Sequence, residues 1–165
     1  MSRAWPVPDL DPGASLASNA RRILAVRIAE LFSYAPVIPD AEAIQSLHDA
    51  RIAAKRLRYS LELFRSIFGD EGEQAIEQIK ALQEDLGQLH DHDVRIALIA
   101  DELDSLAGGS ADDGEDPKPG LEALLERERV AREKRHAAVV KRWQRLERDG
   151  LRAKLVGLSA TPLSA

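Results

Sequence analysis

No cysteine occurs in the 165 residues, which excludes disulfides, thiolate metal sites and thiol nucleophiles together. Aromatic residues supply only 4% of the chain, so little surface is available for stacking nucleic-acid bases. No segment approaches the ~20 apolar residues of a membrane span. The opening MSRAWPVPDLDPG has no apolar run of the secretory kind, so a cytoplasmic protein with no membrane partner is the expectation. A glycine-rich phosphate loop and a GKS/T segment are also missing, and no carboxylate pair is spaced for magnesium. A phosphoryl-transfer enzyme is therefore disfavoured, and neither catalytic residues nor a cofactor are expected.

What is present suits a helical protein: 31% charged and 44% hydrophobic residues. This length supports one core rather than two. The net charge of −5 argues against general nucleic-acid binding, yet the charges are segregated. Residues 101–116 hold seven acids and no base, whereas 127–154 hold eleven Lys or Arg.

The periodicity predicts an all-α fold, an antiparallel four-helix bundle with long helices. Residues 1–14 read as an irregular leader, with Trp5 tacking it to the body. Helix one starts near Ser15, with Leu16, Ala20, Ile23, Leu24 and Leu31 apolar and Arg21, Arg22 and Glu30 elsewhere. Arg27 falls among its apolar positions. Asp40 is the expected N-cap of helix two, which ends at Gly69. Helix three runs from Asp70 to about Leu106 on a core line of Ile79, Leu82, Leu86, Leu89, Ile96 and Ala100. Residues 108–120 read as a flexible acidic loop. Helix four covers about 121–148, which places the helical domain at 15–150. The tail, 151–165, with Gly157, Thr161 and Pro162, is expected to fray.

Two stripes run along LHDARIAAKRLRYSLELFRSIF, residues 47–68. Leu47, Ala50, Ala54, Leu57, Leu61, Phe64 and Phe68 step by three and four, as a bundle core line does. His48, Arg51, Lys55 and Arg58 form a cationic ladder on its flank. On helix three a second stripe, Lys80, Gln83, Gly87, His90 and Val94, has the same spacing. Gly87 in mid-helix costs about 1 kcal/mol relative to Ala, which points to the close approach of a neighbouring helix or a ligand. Helix four buries Leu121, Leu125, Val139, Trp143 and Leu146, and carries Glu128, Arg132, Arg135 and His136 in the same register. Charges at core positions are expensive unless something meets them. Guanidinium groups suit phosphate, which they grip in a planar fork, and Lys adds a point charge.

Three other readings compete. The ladder could be solvated bundle charge paired with Asp91, Glu62 or Glu84, although cations recurring on three helices argue against it. A divalent-metal site would draw on His48, His90, His92, His136, Asp91 and Asp93. His90 and His92, two apart on a helix, cannot share one ion, so a site needs His48, His90 and a third group. A helical nucleic-acid or protein interaction module is the third reading, but the basic face offers few aromatics beyond Tyr59 and Trp143.

LHDARIAAKRLRYSLELF followed by IKALQEDLGQLHDHDV resembles the CHAD family, the conserved-histidine α-helical domain. The first motif falls on His48, Arg51, Lys55, Arg56, Leu57, Arg58 and Tyr59. The second falls on Lys80, Leu82, Gln83, Leu86, Gly87, Asp91 and Val94. The match is continuous over about residues 40–100, and helices one and four fit only in being helical and basic. The resemblance implies a non-enzymatic module that binds inorganic polyphosphate through a basic surface, in some bacteria at polyphosphate granules. Joined to the cation pattern, it makes His48, Arg51, Lys55, Arg56, Arg58, Lys80, Arg27, Arg132, Arg135 and His136 the expected phosphate contacts. Family members usually carry two four-helix repeats. This chain shows one, so a homodimer restoring the pair is expected.

Overall fold

A computed structural model describes residues 3–107 and 116–160. Among these there are five α-helices and one 3-10 turn, and no strand. Helix α1 is Leu16–Phe32, α2 Ile44–Leu63, α3 Arg65–Ala107, α4 Lys118–Arg148 and α5 Leu151–Ser159. Sequential neighbours pack on one another, and α5 closes one end against α1, α3 and α4. The core is built largely from the helical stripes: Ala20, Leu24, Leu47, Ala54, Leu57, Leu61, Ile79, Leu82, Leu86, Leu89 and Val139 are buried.

Helix α1 starts where Ser15 accepts a hydrogen bond from Ser18 N at 3.1 Å, a side-chain N-cap. Its opening Leu16 is exposed, and Glu30, which the periodicity sets apart from the core, is fully buried. The leader is held as expected at Trp5, but through its backbone. Arg27 donates to Trp5 O at 2.9 Å and Trp5 N donates to Glu30 at 3.4 Å, while the indole stays largely exposed.

Asp40 is not the helix cap; it accepts from Glu42 N at 2.9 Å within a turn, and α2 begins at Ile44 behind Ala43. The path Asn-free and proline-bearing between α1 and α2, residues 33–43, includes the 3-10 turn Ala35–Val37 and buries Ile38. Helix α2 breaks at Phe64, where φ is −107°, five residues before the expected stop. Gly69, with φ 56°, then kinks the start of α3, in a conformation that glycine adopts readily.

The tail departs most from expectation. Residues 151–159 form α5, and Leu151 and Leu155 are buried against the core, which contributes to holding this short helix in place. Thr161 and Pro162 lie outside the described residues, as does most of the expected acidic loop, 108–115. Its last residues, 118–120, belong to α4. At 43 residues α3 is about twice as long as the 20-residue α2. Its C-terminal turns therefore run past the start of α2 and pack on α4.

Candidate functional site: a cationic face on the α2/α3 hairpin

The two polar stripes meet side by side. His48 and His90 face each other with ring centroids 4.4 Å apart. One turn along, a methyl group built on Gly87 would stand 3.6 Å from Arg51 Nε. The helices therefore approach closely at Gly87, although a methyl group there would make an ordinary contact with the guanidinium rather than a clash. Continuing this antiparallel register brings Lys55 level with Gln83 and Arg58 level with Lys80. Because both stripes step by three, four and three, every rung aligns. From His48 to Arg58 the face spans roughly 15 Å at 1.5 Å per residue.

The rungs share an uncommon property. Six buried side-chain nitrogen or oxygen atoms among the described residues lack a hydrogen-bond partner: His48 Nδ1, Arg51 Nε, Arg58 Nε, Gln83 Oε1, His90 Nδ1 and Arg21 Nε. Five of the six belong to this face. Buried polar groups are ordinarily satisfied, since an unmet one costs about 1–3 kcal/mol, and five unmet atoms on one face set it apart from the other described residues. Arg58 forms an ion pair with Glu62 Oε1 at 3.6 Å along its own helix, too long for a hydrogen bond, so its Nε keeps no hydrogen-bond partner. Arg51, Lys55 and Lys80 make no ion pair among the described residues. Tyr59 braces the ladder, with Lys55 Nζ 5.5 Å and Arg58 Cζ 4.9 Å from its ring centre, within cation–π range.

The remaining expected contacts face partners inside the protein. Arg27 and Arg56 turn to the opposite side of their helices and clamp the buried Glu30, at 2.5 and 2.6 Å. Arg132, only 9% exposed, pairs with Asp93 and donates to Ala41 O at 2.8 Å. His136, 8% exposed, donates from Nε2 to Ile38 O at 2.9 Å. The carbonyls of Ile38 and Ala41 belong to the non-helical connector, so α4 supplies the donors that a helix would have provided. Arg135 stands 3.7 Å from Asp85, which also pairs with Arg142. The structure thus brings together His48, Arg51, Lys55, Arg58 and Lys80, and keeps Arg27, Arg56, Arg132, Arg135 and His136 apart from them.

Sequence reasoning placed Gln83 and His90 on the stripe but left His90 out of the site. The signal was the equal spacing of the two stripes, which in an antiparallel pair sets His90 against His48. His92, two residues on, lies on the far side of α3 and reaches Glu128 Oε2 at 2.7 Å, where Arg95 Nε joins it at 3.0 Å. These two hydrogen bonds, that from His92 foremost, hold the Glu128 carboxyl below its usual range. Burial, followed by the neighbouring His90, pushes His48 below the ordinary imidazole value; Arg51 adds to this and Asp49 opposes it. Among the described residues no cluster of three or more His, Asp or Glu is placed to hold a metal ion, so the pair His48–His90 has no third ligand. Trp143 is buried and packs on Phe32 at 5.4 Å, which leaves Tyr59 as the aromatic ring on the cationic face.

An all-helical domain with unsatisfied cations in register on one hairpin is the class that fold and site define. The CHAD domain model matches residues 2–100, more than half of the chain, and the protein belongs to the CHAD domain family. That family is helical and associated with polyphosphate binding. The match takes in the leader and α1 as well as both motifs, and α4 and α5 lie outside it. No curated protein and no solved structure matches the chain.

Proposed function

We propose that the α2/α3 face binds inorganic polyphosphate, or a similarly phosphate-rich polyanion, without catalysing a reaction on it. The observation that carries this reading is the run of buried, partnerless nitrogen atoms on one face, His48 Nδ1, Arg51 Nε, Arg58 Nε and His90 Nδ1. Linked phosphoryl groups lying along the rungs would meet N–H donors from Arg51 and Arg58 and the charges of Lys55 and Lys80. Arg27, Arg56, Arg132 and His136, hydrogen-bonded within the fold, are not part of this proposed site, and Arg135, beside Asp85, is left out of it as well. A base-free ligand fits better than nucleic acid, because the face carries one exposed aromatic ring, Tyr59.

The test is a titration with long-chain polyphosphate and with single-stranded DNA of matched charge, each at two salt concentrations. Tighter binding of polyphosphate, weakening steeply with salt, supports the reading; equal or tighter binding of DNA contradicts it.

The same proposal pairs two copies of the chain, each presenting one such face, and places the protein at polyphosphate granules in the cytoplasm. Val94 and Leu98, next along the same stripe of α3, are exposed apolar side chains of the sort a second copy covers. Light scattering should return twice the 18.2 kDa of one chain, and a single-chain mass at high protein concentration would refute the pairing. No helix among the described residues is long and apolar enough to cross a membrane.

A further inference from the structure

One end of the cationic face is built from rings that exchange protons near neutral pH. His48 and His90 stack at 4.4 Å with their planes inclined by 40°, and both Nδ1 atoms are buried and unpartnered. A second positive ring would stand against the first, with the Arg51 guanidinium one turn away. The carboxylates nearest in sequence are Asp49 on α2 and Asp91 on α3. Asp49 accepts from Gln45 Nε2 at 3.1 Å, and Asp91 is exposed. Burial, His90 and Arg51 together disfavour the charged form of His48, against the pull of Asp49. Anything that brings negative charge and an acceptor oxygen to the two rings reverses that balance.

We propose that His48 and His90 form a proton-linked anion subsite: the pair takes up a proton from solvent when a phosphoryl group settles on it. The inference rests on the polyphosphate reading of this face and adds regulation by pH to it. Once protonated, an imidazole has N–H donors at both nitrogens, so the ring contributes a charge and a donor that the free protein lacks. Linkage sets the direction. A bound state that holds more protons is favoured as pH falls, by up to about tenfold in affinity per pH unit for each proton taken up. The inner phosphoryl groups of a long chain are strong acids and stay ionised throughout, so the ligand itself adds little to the effect. Arg51, Lys55 and Arg58 would still hold the chain at higher pH, more weakly.

Calorimetric titration of the full chain with long-chain polyphosphate at pH 7, in two buffers of different ionisation enthalpy, tests this. The heat of binding should differ between the buffers by an amount that reports uptake of about one proton. His48→Gln and His90→Gln should each remove most of that difference while binding persists through the ladder. Saturable binding with equal heats in the two buffers would overturn the subsite and leave the rest of the face standing. A buffer dependence that survives both substitutions would place the proton elsewhere and also overturn it. Absence of any binding would overturn the polyphosphate reading, and this inference with it.

Discussion

Two groups of cations share this small domain, and they differ in what meets them. Arg27, Arg56, Arg132 and His136 each find a carboxylate or a carbonyl within the fold. Arg51 and Arg58 carry buried Nε atoms without a hydrogen-bond partner, as His48 does at Nδ1, and Lys55 sits between them. Both groups are built mainly from arginine with one histidine each. Position in a helical register separates a cation that holds the fold together from one left available to an outside anion, and satisfaction of its donors is the physical mark of the difference.

Breaking the available group should have the largest effect on binding. Replacing Arg51, Lys55 and Arg58 together with Ala removes several charge-assisted hydrogen bonds, each worth about 1.5–3 kcal/mol. Affinity for long-chain polyphosphate should fall by about 10²–10³-fold in a titration, with the thermal midpoint moving by no more than about 5 °C. Breaking the internal group should do the reverse. Glu30→Ala leaves Arg27 and Arg56 without their shared carboxylate and should cost roughly 3 kcal/mol in urea unfolding, while the folded fraction binds as before.

Gly87→Ala sharpens the contrast because its two effects have opposite signs. The helix gains up to about 1 kcal/mol, and the new methyl group in contact with Arg51 Nε at 3.6 Å restricts the movement by which that guanidinium would turn to a ligand. Denaturation should show a more stable protein and titration a severalfold weaker one. A smaller effect is expected from pH. The folded-state pKa of His48 is lowered below 6.5, so the unfolded chain binds more protons and stability falls as pH drops through 6.5 toward that lower value. Urea unfolding of the free protein should show this slope, and His48→Gln should reduce it. Glu128 acts in a lower window. Its depressed pKa lends stability that is lost only as pH falls below its ordinary 4.5.

The helices and the cationic face were legible because both rest on local spacing: apolar steps of three and four define the core, and the same steps align the rungs. Glu30 was not, since a single acid in α1 looks like a surface position until Arg27 and Arg56 are seen on either side of it. The carbonyls that Arg132 and His136 reach lie 91 and 98 residues away in sequence, in a connector with no periodic pattern, so nothing local distinguishes these two side chains from ligand-binding cations. Helix α5 escaped notice for a related reason. Nine residues with a glycine inside make a weak helix alone, and it is held by tertiary packing, foremost of Leu151 and Leu155 with Leu158 beside them.

Arginine Nε–Hε resonances followed by NMR during a titration with long-chain polyphosphate test the distinction between the two groups most directly. The signals of Arg51 and Arg58 should shift and saturate together, while those of Arg27, Arg56 and Arg132 stay in place. Shifts confined to Arg27, Arg56 or Arg132, with Arg51 and Arg58 unmoved, would contradict the account.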